Sequence, residues 1–105
     1  MAEASWKRRE REVARLLGGQ RQPNTGRPSP DVLAPGWCAE VKLRSRLPLW
    51  LERGLAQAEA AAKERGLAPL LVIVWPQGRG RRAKRLAILP LEVLSNLVGS
   101  EGDKG

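Results

Sequence analysis

The chain has 105 residues, which is enough for a single small domain with one core of limited buried area. Lysine and arginine number 19 against 11 acids, giving a formal charge of +8, so a polyanionic partner is expected. The sequence contains no histidine and one cysteine, Cys38, which excludes histidine-based catalysis, histidine metal sites and an internal disulfide.

No segment of the sequence predicts insertion into a membrane. The longest apolar run, residues 70–75, is far shorter than the roughly 20 residues that a membrane helix needs. The first residues lack the apolar segment of a signal peptide. With the lone cysteine, these features predict a protein of the reducing cytoplasm, or of a host cytoplasm if the chain is viral.

The first predicted element is a helix over residues 5–17. Ser5 is a suitable N-cap, and Gly18 with Gly19 ends the helical pattern. Five residues repeat at helical spacing and should form its buried stripe: Trp6, Glu10, Val13, Ala14 and Leu17. An acid, Glu10, is therefore expected among the side chains that face the core.

Short strands are predicted next, in this order: an edge strand and loop over residues 20–29, a strand over 31–33 and, after a turn at 34–36, a strand over 37–43. The last two should form a hairpin that places Asp31 beside Glu40. Because alternate side chains of a strand share a face, Glu40 and Lys42 should point the same way, about 6–7 Å apart. Cys38, nearer the turn, is expected to be a small buried residue.

The second half begins with an alanine-rich helix over residues 49–65 that ends at Gly66. Its predicted buried side consists of Leu51, Leu55, Ala58 and Ala62. The remaining elements should be a central strand buried on both faces over 70–75, a partner strand over 85–89, a helix over 91–98 and a tail over 100–105. This order predicts an α/β fold, a mixed sheet flanked by helices, in one domain over residues 1–99 followed by a flexible C-terminal tail.

Two short motifs suggest chemistry: Pro30-Asp31 and Glu40-Val41-Lys42. Two carboxylates and a lysine are what a magnesium-dependent phosphodiesterase needs, since hard oxygen ligands hold the ion and the ammonium orients or deprotonates the attacking water. An acid-x-lysine triplet alone is common and is usually a solvated strand face. Together with the basic charge, the pair of motifs favours nucleic-acid cleavage.

A helix-borne acid, then Pro-Asp, then Glu-x-Lys resembles the PD-(D/E)xK nuclease superfamily, and the resemblance extends over about residues 5–90 in order and element type. Within it, the chain is most similar to archaeal-type Holliday junction resolvases, small dimeric enzymes that cut four-way DNA junctions with magnesium. The compact VRR-NUC-type nucleases share a Pro-Asp and an acid-x-lysine strand, and they are the alternative within the fold.

The resemblance implies a restriction-endonuclease-like core with a Mg²⁺ site, for which Mn²⁺ is an alternative ion. The implied metal ligands are Asp31, Glu40, the backbone carbonyl of Val41 and, through a bound water or a second ion, Glu10. Lys42 would be the catalytic lysine. Gln57 matches a glutamine found on this helix in several other branches of the superfamily.

Two of these residues have a simpler interpretation. Glu10 could be the salt-bridge partner of a neighbouring arginine such as Arg9 or Arg11. Gln57 could be a polar residue at the edge of the buried side of its helix. Glu12 competes with Glu10 for the role of the helix-borne acid, but it lies on a more polar stripe.

Cations are expected to bind DNA phosphates, above all those in the basic segment 78–85. The predicted DNA-binding residues are Arg27, Arg44, Arg79, Arg81, Arg82 and Lys84. No helix is of the kind that presents polar side chains to base edges, so the shape of the DNA is the expected target. A homodimer suits a four-way junction, with Leu49 and Trp50 as candidates for its interface or for packing under the first helix.

The sequence therefore predicts a metal-dependent, structure-specific endodeoxyribonuclease, most simply one that resolves Holliday junctions in recombination or repair. The alternatives are a VRR-NUC-type nuclease acting on flaps or other DNA structures, and a non-catalytic basic DNA-binding protein whose acids serve only as salt-bridge partners.

Overall fold

The computed structural model describes residues 5–23 and 29–102, with side chains described as far as residue 98. The described elements follow the order α1 (Ser5–Leu17), β1 (Gln20–Arg21), β2 (Val32–Ala34), β3 (Trp37–Ala39), α2 (Leu49–Arg65), β4 (Leu71–Trp75), β5 (Lys84–Ile88) and α3 (Leu91–Gly102). The described strands pair in two antiparallel sheets, β1-β2-β3 and β4-β5. The predicted α/β class is confirmed, but these strands do not form the single mixed sheet that the sequence suggests.

The described chain divides into two compact units. The first contains the residues up to Ser45 and those from Leu94 onward, and the second is Arg46–Val93. The first unit thus holds α1 and the three-stranded sheet, and the second holds α2 and the two-stranded sheet.

Helix α1 has the bounds that the sequence predicts. Its end is closed by two backbone hydrogen bonds, from Gly19 N to Ala14 O at 2.8 Å and from Gly18 N to Arg15 O at 3.2 Å, and Gly18 has a φ of 69°. This is a Schellman-type end, for which glycine is suited because it has no Cβ. The helix packs on β1 and β2, burying Ala14 and Leu17 near the fully buried Val32.

Gly19 lies where the chain passes closely against β2. A Cβ atom built on Gly19 would lie 2.1 Å from the carbonyl oxygen of Leu33 and 2.5 Å from Cβ of Ala34. Both distances are shorter than van der Waals contact, so only glycine fits without moving the backbone of β2. This close approach sets how α1 leads into the three-stranded sheet.

The β2–β3 hairpin pairs Val32 with Ala39 and Leu33 with Cys38. Strand β3 ends at Ala39, four residues earlier than predicted, and β2 begins at Val32 rather than Asp31. Two causes shorten the ladder: Pro30 has no N–H to donate, and the Asp31 side chain occupies the N–H of Val41, which a backbone carbonyl would otherwise bond.

Cys38 is exposed, so the prediction of a buried residue is wrong. Successive residues of a strand point to opposite faces of the sheet. Since Val32 faces α1, Leu33 and its partner Cys38 lie on the other face, and Leu33 is 44% exposed.

Helix α2 also has its predicted bounds and ends at Gly66, which has a φ of 66°. The predicted buried side is confirmed: Ala62 is buried, and Leu51, Leu55 and Ala58 are half-buried. Gly54 on this side faces Leu71 of β4, whose methyl groups would lie 3.2–3.3 Å from an added Cβ.

Strand β4 is not the doubly buried central strand that the sequence predicts. It is one of two strands in its sheet, and Val72, Val74 and Trp75 are 52%, 61% and 53% exposed. A continuous apolar run does not reveal by itself how many neighbours a strand has. The strand begins one residue later than predicted, at Leu71, and β5 begins one residue earlier, at Lys84.

Helix α3 continues to Gly102, beyond the predicted end at residue 98. Each further residue of a formed helix adds a backbone hydrogen bond without a new nucleation cost, which favours this extension. Ser95 Oγ donates to the carbonyl oxygen of Leu16 at 2.6 Å and ties α3 to the end of α1. Residues 103–105 of the predicted tail lie outside the described residues.

The described residues include no helix with both the length and the apolar composition needed to cross a membrane.

The close approach of Gly19 to β2 allows the effect of a substitution on stability to be predicted. Gly19→Ala should lower the free energy of unfolding by more than about 2 kcal/mol, because overpacking against a fixed backbone is costly. Gly18→Ala is the matched control, since its added Cβ would meet nothing within 4 Å and only the positive φ opposes it, at about 1–2 kcal/mol. Urea unfolding of both variants measures the difference, and equal losses would contradict the packing argument.

Candidate active site

Asp31 lies directly beside the Glu40-Val41-Lys42 segment. Its backbone N–H donates to Ala39 O at 3.0 Å, and its side-chain Oδ2 accepts the N–H of Val41 at 2.7 Å. The proximity that the hairpin predicts is therefore confirmed. A hydrogen bond to an ionised carboxylate is stronger than a neutral one, so this contact fixes the Asp31 side chain against the acid-x-lysine segment.

Glu40 and Lys42 point the same way, as predicted, although neither lies in a regular strand. Lys42 Nζ is 3.8 Å from Glu40 Oε1, and their side chains are 63% and 68% exposed. An exposed pair of this kind is screened by water and contributes about 0–1 kcal/mol to stability. Little free energy opposes the separation of the two side chains, so both can reach a ligand.

Glu10 is 6% exposed, which confirms that it faces inward from α1. Its Oε1 accepts a hydrogen bond from Arg21 Nε at 2.6 Å. Arg21 pairs with Val32 in the sheet and therefore shares the face that meets α1. The salt-bridge interpretation of Glu10 is right in kind, but this partner comes from β1, while Arg9 pairs with Glu12 at 3.1 Å.

Glu10 and Asp31 line the same open cavity of about 150 Å³, together with Trp6, Arg21 and Pro30. The Arg21 guanidinium lies 5.4 Å from the centroid of the Trp6 ring, within the range of a cation–π contact. Sequence reasoning missed Arg21 and Trp6 as members of this site. No local pattern identifies Arg21, because its role depends on the pairing of β1 with β2.

The oxygen atoms of the site determine which metal ion it could hold. The described residues include no cluster of three or more cysteine, aspartate or glutamate side chains that could hold one ion. Magnesium, however, is often held by one or two carboxylates and keeps several of its waters. Asp31 and Glu40, with hard oxygen donors, fit that mode, and Oδ1 of Asp31 would be its freer donor because Oδ2 already accepts the Val41 N–H.

The predicted DNA-binding cations are exposed where the structure describes them. Arg79, Arg81 and Arg82 lie in the loop between β4 and β5, and Lys84 begins β5. Arg44 is exposed and its guanidinium donates to Leu43 O at 2.9 Å. Arg27 lies outside the described residues.

Three further predicted residues belong to the second unit. Gln57 is exposed on α2 and lies away from the buried side of the helix. Leu49 and Trp50, the candidates for an interface or for packing, are 56% and 61% exposed.

A comparison of the sequence with protein-family models found no match. Comparisons with curated proteins and with solved structures found no match either.

The buried ion pair between Glu10 and Arg21 leads to a second prediction about stability. Arg21→Ala should lower the free energy of unfolding by about 1–3 kcal/mol, because the Glu10 carboxylate would lose the hydrogen bond that compensates its burial. Arg9→Ala removes an exposed pair with Glu12 and should cost less than about 1 kcal/mol. Urea denaturation compares the two variants. A loss for Arg21→Ala no larger than that for Arg9→Ala would mean that the buried pair contributes no more than a surface pair.

Proposed function

We propose that the protein is a metal-dependent endodeoxyribonuclease with a PD-(D/E)xK-type site that cuts branched DNA, and that it resolves Holliday junctions. The supporting observation is the 2.7 Å hydrogen bond from Val41 N to Asp31 Oδ2, which joins the Pro-Asp motif to the Glu-x-Lys motif. Two sequence motifs that are nine residues apart thereby contribute to one surface. Either motif alone would have a simpler explanation as a solvated pair of charges.

In this proposal Asp31, Glu40 and the carbonyl of Val41 hold Mg²⁺, with Mn²⁺ as the alternative ion. When bound, the ion would activate a water and offset the charge that develops on the phosphate.

The other residues of the proposed site act beside the ion. Lys42, whose ammonium is exposed beside Glu40, positions the attacking water and faces the phosphate. Glu10 would complete the site through a metal-bound water or a second ion, and the Arg21 guanidinium holds its carboxylate at the cavity that Asp31 also lines. Gln57 is assigned to the site by the resemblance alone.

The basic surface supports DNA as the substrate. The chain has a net charge of +8, and Arg44, Arg79, Arg81, Arg82 and Lys84 are exposed. Such residues bind phosphates without reading bases, and each phosphate contact releases counterions, so affinity should fall steeply with salt. A homodimer would present two sites to the two strands that must be cut at a four-way junction.

A second function is favoured by a specific observation. Glu40 is 68% exposed beside Lys42, and Glu10 is engaged with Arg21, as expected if the acids serve only as ion-pair partners. This fits a non-catalytic basic DNA-binding protein. It would bind DNA in a salt-sensitive way without a metal requirement and without cleavage. Within the nuclease proposal, action on flaps in the manner of VRR-NUC-type nucleases is the alternative substrate choice.

The decisive experiment replaces the carboxylates by their amides. Asp31→Asn and Glu40→Gln should each reduce Mg²⁺-dependent cleavage by at least about 100-fold, because each removes one charged metal ligand. Binding to DNA in EDTA should stay within about twofold, since the phosphate contacts come from the cations. Labelled four-way junction, flap, duplex and single strand, each with Mg²⁺, Mn²⁺ or EDTA, are the substrates.

Glu64→Gln is the matched control for this experiment, because Glu64 is an exposed acid paired with Arg65 and lies in the second unit. It should cleave like the original chain. Cleavage by both Asp31→Asn and Glu40→Gln at the original rate would remove the nuclease assignment. Binding of every substrate with no cleavage by the original chain, in either metal, would establish the non-catalytic alternative.

A further inference from the structure

The two-stranded sheet of the second unit carries an exposed aromatic residue, Trp75, at one end. Trp75 is the last residue of β4, is 53% exposed and pairs directly with Lys84, the first residue of β5. Lys84 Nζ lies 5.7 Å from the centroid of the indole ring. Directly paired residues of antiparallel strands lie on the same face, which brings the ammonium to the ring. A lysine at one side of the ring leaves indole surface open to solvent.

The loop that follows Trp75 is rich in positive charge. Gly78 and Gly80 adopt φ values of 109° and 76°, and Arg81 N donates to Gly78 O at 3.1 Å, which forms a tight turn. Gln77 Nε2 donates to Trp75 O at 3.2 Å and fastens the start of the loop to the end of β4. Three arginines of this loop are exposed: Arg79, Arg81 and Arg82.

The contact of β4 with α2 at Leu71 lies at the opposite end of the strand from Trp75. Helix α2 meets β4 at Leu71, where Gly54 makes room for the leucine methyl groups. Trp75 lies four residues further along the strand, which is roughly 13 Å at the rise of an extended chain. The ring therefore lies at the end of the sheet that carries the basic loop, and not at the end that packs on the helix.

We propose that Trp75 and the basic loop form a binding surface for an unpaired nucleotide, in which the base stacks on the indole and neighbouring phosphates bind Arg79, Arg81, Arg82 and Lys84. Bases in a duplex are already stacked on one another, whereas an unpaired base offers its face to an aromatic ring. This inference rests on the proposed function in taking DNA as the partner. Among branched DNAs it predicts tighter binding of those with unpaired nucleotides at or beside the branch, such as flaps, whereas a fully paired four-way junction would be bound through its phosphates alone.

The test measures binding by the full chain in EDTA, using fluorescence anisotropy of labelled single strand, of duplex with a single-stranded flap, and of blunt duplex. Trp75→Ala should weaken binding of the single strand and of the flap by about 5- to 150-fold, the range for loss of one stacked base. Binding of blunt duplex should change by less than about twofold. Trp75→Phe should recover most of the loss, because phenylalanine keeps an aromatic face.

Two control variants separate stacking from charge. Trp37→Ala removes another exposed tryptophan, the first residue of β3 in the first unit, and should leave all three affinities unchanged. Arg82→Ala should weaken binding of all three DNAs and lower the slope of affinity against salt by about one, as expected for one lost phosphate contact. Urea unfolding of each variant distinguishes a loss of binding from a loss of folding.

Unchanged single-strand affinity in a folded Trp75→Ala variant would overturn the inference. An equal loss on blunt duplex would also overturn it, because the ring would then contribute nothing specific to unpaired bases. Repeating the series in the Asp31→Asn background keeps this result independent of cleavage. If Trp75→Ala behaves as expected while the original chain cuts no DNA, the binding surface stands and the nuclease proposal fails.

Discussion

The hydrogen bond from Val41 N to the Asp31 carboxylate is the contact on which the candidate site depends. At 2.7 Å it fixes an acid that follows a proline against a segment that contains another acid and a lysine. It also helps to end the β2–β3 ladder, because the N–H it uses is no longer available to a backbone carbonyl. Glu40 and Lys42 are consequently exposed beside a fixed carboxylate, and they are not held in the face of a sheet.

The ion pair between Glu10 and Arg21 supplies a second constraint. A carboxylate that is 6% exposed requires compensation, which the guanidinium provides at 2.6 Å. The same guanidinium lowers the net negative charge of the cavity that Glu10 shares with Asp31. A pair that is needed for burial on α1 thus also sets the electrostatics beside the candidate metal ligands.

The second unit has a different chemical character from the first. Its exposed arginines and lysine provide a sequence-independent attraction for phosphates, while Trp75 offers a flat surface that a base can contact. Charge by itself favours any polyanion. If Trp75 binds a base as proposed, the aromatic ring adds a preference for nucleotides that are not stacked in a duplex.

In the candidate site, contacts between residues close in the sequence could be predicted, whereas contacts between distant segments could not. The position of Asp31 beside Glu40 could be predicted, because a short turn determines which residues of a hairpin meet. The turn consists of Pro35 and Gly36, one residue shorter than predicted, since Ala34 pairs with Trp37. Arg21 could not be placed in the site, because its role depends on which strands pair. The predictions that bury Trp6 and Trp75 are wrong, since the two side chains are 44% and 53% exposed. Burial depends on contacts between segments that the local pattern does not reveal. Cys38 was assigned to the interior for the same reason, as alternation gives two faces but does not say which one α1 covers.

The sequence by itself determined the two helices with glycine ends, the tight turn between β2 and β3, and the inward face of α1, because these follow from periodicity and capping within a few residues. Only the tertiary structure decided that the described strands form two antiparallel sheets, that β3 stops at Ala39 and that β4 leaves Val72, Val74 and Trp75 exposed. Strand length, partner number and burial are properties of contacts between segments far apart in the chain, and an apolar run is compatible with several such arrangements.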